Sequence, residues 1–183
     1  ITLYGKILFK GEDITETRPS ERVKKGIVLC RERHPVFPES SVLENLRIAG
    51  YLRKSREIRD MMQYVFDLFP ALVHLRSRKS GFLSGGEQQM LAIGMALVAG
   101  PTLLLLDEPL LGLSPMMQNL LVGAIKSLRG KSGITVLISE QFARPVLPMI
   151  DHGYIVENGM MTLTGTGREL MDNPEVKAAY FGV

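Results

Sequence analysis

Two acids in tandem, Asp107-Glu108, follow the apolar run Leu103 to Leu106 and precede Pro109. A buried strand of this kind delivers its last side chains to the carboxyl edge of a sheet, where α/β folds bind ligands. There the first acid could serve an octahedral Mg²⁺, an ion that keeps several of its waters and needs a carboxylate nearby. The second could orient and deprotonate an attacking water. The alternative is that both acids merely cap the turn at Pro109. Upstream, Leu83-Ser84-Gly85-Gly86-Glu87-Gln88-Gln89 ends a loop with two glycines and opens a helix. That construction presents backbone N–H groups and a positive dipole end to an anion. The order and spacing of the two segments favour chemistry over a turn cap.

Other reactive side chains add little. His34, His74 and His152 have no metal-ligand spacing with a cysteine or an acid cluster, so they read as solvated or structural. The single cysteine, Cys30, excludes an internal disulfide and fits a reducing compartment. Its apolar run, Gly26 to Cys30, predicts a buried, inert thiol. No G-x-x-x-x-G-K-[ST] phosphate loop occurs in the chain. Gly130-Lys131-Ser132 spells its end, but Ile125 stands where its first glycine belongs, and the segment follows a helix, so it reads as a turn.

The elements that must position these residues follow from periodicity. Ile7-Leu8-Phe9 reads as a strand entering a turn at Gly11-Glu12-Asp13, and Pro19-Ser20-Glu21 starts a short basic helix before the strand Gly26–Cys30. After a loop with Pro35 and Pro38, Ser41-Val42-Leu43-Glu44 resembles a capping box, with Leu43, Leu46 and Ile48 predicted inward. A helix from Ser55 to Phe69 carries the stripe Ile58, Met61, Met62, Val65, Phe66 and Leu68. The stretch from 41 to 81 is helical. Strands and helices then alternate: strand 103–106, helix 115–128, strand 134–138, helix 142–149, a hairpin across Glu157-Asn158-Gly159, and small helices near Glu169 and Val176. This alternation predicts a mostly parallel sheet covered by helices, with a helical insert.

Composition excludes several classes. The 183 residues, 45% hydrophobic and 22% charged, suffice for one globular domain. A formal charge of +3 is spread out, and the cluster Arg53-Lys54-Arg56-Arg59 reads as a solvated helix face, so no nucleic-acid partner is expected. The uncharged stretch from Met90 to Leu106 is broken by Gly100-Pro101, which makes it a helix end and a strand, not a membrane span. The opening residues carry no secretory leader pattern, so membrane association is expected to come through a partner.

With these residues in place, the chain resembles the ATP-binding-cassette (ABC) transporter ATPases over nearly its whole length. It is most similar to their branched-chain amino acid (LivF-like) branch. The likeness rests on LSGGEQQMLAIG (83–94), LLLLDEP (103–109), LGLSP (111–115), VLISEQ (136–141), ENG (157–159) and NPEVKAAYFG (173–182). It implies a P-loop NTPase-like α/β fold as one nucleotide-binding domain over 1–183, with a helical subdomain at about 41–98. It implies ATP and Mg²⁺ as cofactors, with Ser84, Gly85, Gly86 and Gln88 of the signature loop binding ATP held by an opposite subunit. Asp107, ending the Walker B strand, is implied to bind Mg²⁺ through water, and Glu108 to be the catalytic base. Glu32 falls at the nucleotide-contacting Q-loop position. Gln141 replaces the switch histidine and is grouped with Glu108 as catalytic, although an amide cannot exchange a proton as imidazole does. Met95 stands where relatives carry arginine, and Ser114 replaces the D-loop aspartate.

The resemblance further implies that the first strands, the phosphate loop and its helix lie upstream of Ile1, and that the 183 residues alone are inactive. Expected partners are a second ABC ATPase subunit, as homo- or heterodimer, and transmembrane permease subunits docking on the loop 32–38 and the helical subdomain. Within that loop Phe37 is either an apolar anchor for the permease or a core plug. The expected location is cytoplasmic, peripheral on the inner face of the membrane. Alternatives are the ATPase of a urea or lipopolysaccharide transporter, a non-hydrolysing partner that lends its signature loop, and an ABC ATPase outside transport.

Overall fold

The computed structural model of the chain describes residues 4–32, 35–128 and 133–181. Arg33 and His34, the segment Gly130-Lys131-Ser132 for which a turn is expected, and Gly182 lie outside the described residues. The centre is a parallel sheet of β3 (Ile27–Cys30), β4 (Leu103–Asp107) and β5 (Thr135–Ser139), in that spatial order. Its register sets Cys30 beside Leu106 and Leu106 beside Ile138, and sets Asp107 beside Ser139.

Side chains alternate along each strand. Val28, Cys30, Leu104 and Leu106 turn into the main core, where Leu91, Leu97 and Val98 of α5 (Gly85–Val98) also lie. The opposite face carries Leu29 and Leu137, 52% and 56% exposed. Among the described residues β5 pairs only with β4, so its outer edge is open.

The amino-terminal hairpin, β1 (Leu8–Phe9) with β2 (Glu12–Asp13), turns at Lys10-Gly11. Glu12 and Asp13, expected within the turn, belong to the return strand. Helix α1 (Pro19–Lys24) begins at its proline, as predicted.

The helical segment comprises α2 (Val42–Ala49), α3 (Ser55–Leu68), α4 (Ala71–His74), a 3-10 turn at Ser80–Phe82, and α5. Ser41 caps α2 through a reciprocal box with Glu44. The inward face differs from the prediction: Val42, Asn45 and Leu46 are buried, while Ile48 is 46% exposed. The helix starts at Val42, so the positions three and four residues on face the core with it. Arg53 also departs from the solvated face, since its guanidinium donates to the carbonyls of Ala99 and Gly100 at the carboxyl end of α5. Met95 packs partly buried against the core.

Helix α6 (Pro115–Leu128) spans the predicted residues. The helix predicted over 142–149 divides into α7 (Ala143–Val146) and a 3-10 turn at Leu147–Met149. Pro148 has no N–H for an α-helical bond and disfavours helical geometry at the preceding residue. The hairpin of β6 (Gly153–Glu157) and β7 (Met160–Gly165) turns through Asn158 and Gly159, both at positive φ, as a two-residue hairpin turn requires. Helices α8 (Gly167–Asp172) and α9 (Pro174–Phe181) close the chain, and the α8 and α9 side chains Leu170 and Val176 form a small second core with Leu147 and Ile155. Among the described residues no helix is long and apolar enough to cross a membrane.

Candidate functional site

Strands β3, β4 and β5 are parallel, so the loops that follow them emerge at one edge of the sheet. That edge gathers Glu32, two residues beyond β3, with Asp107, Glu108 and Gln141. Asp107 is the last residue of β4 and lies on the same sheet face as Leu105, opposite the core face.

Glu108 takes a left-handed backbone, φ 46°, which is costly for a residue with a side chain. Its N–H donates to the Ser139 carbonyl at 2.9 Å, and its Oε2 accepts the Gln141 N–H at 3.3 Å. The Gln141 side chain is exposed. Glu140, within the quoted motif but unassigned by sequence reasoning, accepts the Leu110 N–H at 2.8 Å and the Phe142 N–H at 3.2 Å. Burial raises the Glu140 carboxyl above its usual range, and the adjacent Glu108 carboxyl pushes the same way, against the two N–H donors.

The glycine-bearing loop sits at the start of α5. Ser84 caps this helix: Glu87 Oε2 accepts the Ser84 N–H at 2.7 Å and its hydroxyl at 2.9 Å. Gly85 and Gly86 occupy the first helical positions, where N–H groups have no partner within the helix. Gly85 is exposed, whereas Gly86 is buried under Met117 of α6, and a Cβ on Gly86 would come within 2.6 Å of the Met117 methyl. The Gln88 amide donates to the Ser80 carbonyl at 3.0 Å, so its nitrogen is engaged within the chain. Helix α6 connects the two regions, because Gln118 Nε2 donates to the Leu113 and Leu110 carbonyls at 3.2 and 3.4 Å.

The donor set fits a hydrated hard cation. Among the described residues no group of three or more His, Cys, Asp or Glu could cage a metal. A lone carboxylate such as Asp107, with waters and phosphate oxygens completing the shell, is how Mg²⁺ is ordinarily held. Cys30 is buried, which pushes its thiol up to about 12 and leaves it inert, as its apolar run predicts. His152 bonds the Thr164 hydroxyl at 2.8 Å and packs edge-on against Tyr154, a structural role.

Two surface features lie in the helical segment and the loop before it. Phe37 is 49% exposed, which favours the anchor over the core plug. A groove of about 500 Å³ is lined by Arg47, Ile58, Arg59, Met62, Phe66 and Arg76, with the Arg76 guanidinium 4.5 Å over the Phe66 ring.

Comparisons with known proteins converge on one family. The ABC transporter family model matches residues 2–111. The high-affinity branched-chain amino acid transport ATP-binding protein BraG of Pseudomonas aeruginosa is 40% identical over 97% of this chain and 76% of its own length. A probable branched-chain amino acid transport ATP-binding protein LivF of Archaeoglobus fulgidus is 35% identical over 98% of this chain and 76% of its own. The crystal structure of an ATP-binding cassette of an ABC transporter, in its ADP conformation, superposes with a TM-score of 0.81 at 29% identity, over 98% of this chain and 78% of that one. Motif order, parallel sheet and relatives agree, and the chain belongs to the ABC transporter family as an ATP-binding subunit.

Proposed function

We propose that this chain is the ATP-hydrolysing subunit of an importer for branched-chain amino acids. The observation that carries the reading is the β4–β5 edge, where the Glu108 carboxylate accepts the Gln141 N–H beside Asp107. The named substrates of BraG and LivF support the choice of cargo.

When bound, Mg²⁺ neutralises developing charge on the phosphates of ATP. Asp107 holds the ion's water shell at the strand end. Glu108 accepts the proton of the attacking water, and the Gln141 amide orients that water without taking a proton. Ser84, Gly85, Gly86 and Gln88 serve the nucleotide of a second subunit, and Glu32 contacts it from the β3 loop. Ser84 must turn its hydroxyl from Glu87 to donate to a phosphate, so closure of the dimer exchanges one hydrogen bond for another.

The phosphate loop, in this reading, is supplied from outside the 183 residues. A strand adding to the open edge of β5 and a helix covering Leu29 and Leu137 would satisfy the rule that parallel sheets are covered on both faces. The isolated 183 residues therefore bind ATP weakly, and calorimetry giving micromolar affinity for them would contradict this part.

Half-exposed Phe37 and the arginine-rimmed groove of the helical subdomain support docking of a permease segment there. The test of the whole reading is uptake of labelled leucine, isoleucine and valine by vesicles holding the assembled transporter. ATP-dependent accumulation of these is expected. ATP-dependent accumulation of a different solute, with none of these three, would overturn the choice of substrate.

A further inference from the structure

We propose that Glu140 is a positioning residue: its carboxylate ties the loop after β4 to the loop after β5 and so holds Glu108 and Gln141 in mutual register. Its two oxygens serve two loops, Oε1 accepting the Leu110 N–H at 2.8 Å and Oε2 the Phe142 N–H at 3.2 Å. Glu108 returns the arrangement, accepting the Gln141 N–H at 3.3 Å while its own N–H donates to the Ser139 carbonyl. Each loop thus lends a carboxylate to the other's backbone.

The arrangement answers a local need. Pro109 has no N–H, so Leu110 offers the first backbone donor after Glu108. Leu110 is fully buried, and a buried N–H without an acceptor is costly. Glu108 sits at φ 46°, a conformation that persists only when its surroundings over-determine it. The brace extends further, because Gln118 of α6 donates to the carbonyl of the same Leu110. A glutamine in the same pose puts an NH2 donor where one of these two oxygens accepts, so it keeps one of the two contacts. Glu140 is half-buried, and its carboxyl lies close enough to that of Glu108 for the two to interact, so the two loops also meet through these side chains.

The catalytic consequence rests on the function proposed above, whereas the brace does not, so the test has two arms. The first is amide exchange by NMR on the chain itself, comparing wild type, Glu140→Gln and Glu140→Ala. Exchange at Leu110 and Phe142 should quicken about tenfold or more in Glu140→Ala and less in Glu140→Gln, with the rest of the core unchanged. Unchanged exchange at both amides, or a uniform rise along the chain, would overturn the proposal. The second arm is ATP turnover in the assembled transporter. There Glu140→Ala should lower kcat about tenfold with KM for ATP little changed, and Glu140→Gln should recover part of it. A wild-type kcat in Glu140→Ala would contradict the positioning role. A wild-type assembly without ATP turnover would overturn the functional reading instead, and the exchange arm then decides the brace alone.

Discussion

Asn45 donates its side-chain amide to the Ser80 hydroxyl at 3.2 Å across 35 residues of sequence, joining the start of α2 to the turn before the signature loop. The same amide faces the carbonyls of Phe37, Ser40 and Ser41, and its oxygen accepts the Phe37 N–H at 2.7 Å. Ser80 in turn donates to the Phe37 carbonyl at 2.6 Å. Both Asn45 and Ser80 are fully buried, so the network fixes the loop backbone at Phe37 from below. Asn45→Ala should cost about 3 kcal/mol, because several buried groups lose their partners together. Asn45→Asp should be no milder, since a carboxylate cannot donate to these oxygens. Urea denaturation checks both, and a loss under about 1 kcal/mol in Asn45→Ala would contradict the network's weight.

Much of this fold was legible because it depends on period and punctuation. Helix α6 begins at Pro115, α2 and α5 open on capping serines, and the hairpin turn falls on Asn158-Gly159, each a local signal. What stayed hidden depends on partners distant in sequence. Arg53 looks like one charge in a basic cluster, and nothing local announces that its partners are the carbonyls of Ala99 and Gly100. Ile48 departs from the predicted inward set because the buried face runs through Val42, Asn45 and Leu46, and a polar residue at position 45 conceals that face from a count of apolar residues. Asp107, Glu108 and Gln141 could be picked out by motif, but that Glu108 bonds the Gln141 backbone follows only from the parallel register of β4 and β5. Glu140 sits between residues that drew attention, and no periodicity reveals a carboxylate that bonds two backbone amides.

Cys30 should resist alkylation in the native state at pH 8 and react promptly in denaturant. Burial pushes its pKa from 9.0 up to about 12, so the folded chain holds the thiol proton more tightly than the unfolded chain. The contribution to stability is therefore complete below pH 9.0 and is lost as pH rises from there towards about 12. Native labelling with iodoacetamide at the denatured rate would contradict the assigned burial.

Phe37→Ala should leave the melting temperature of the chain nearly unchanged, because the ring is half-exposed. It should nevertheless weaken assembly with the transmembrane subunits and uncouple transport from ATP turnover. Thermal melting and co-purification with those subunits separate the two effects. A stability loss of about 3–5 kcal/mol would mark the ring as a core plug.

The most direct measurement is ATP turnover by Glu108→Gln in the assembled transporter, read together with nucleotide binding. The amide keeps the shape of the side chain and can still accept the Gln141 N–H, but it cannot take a proton from water. Turnover is expected to fall about a hundredfold or more while ATP stays bound. Turnover close to wild type would show that Glu108 is not the base and would contradict the mechanism built on the β4–β5 edge.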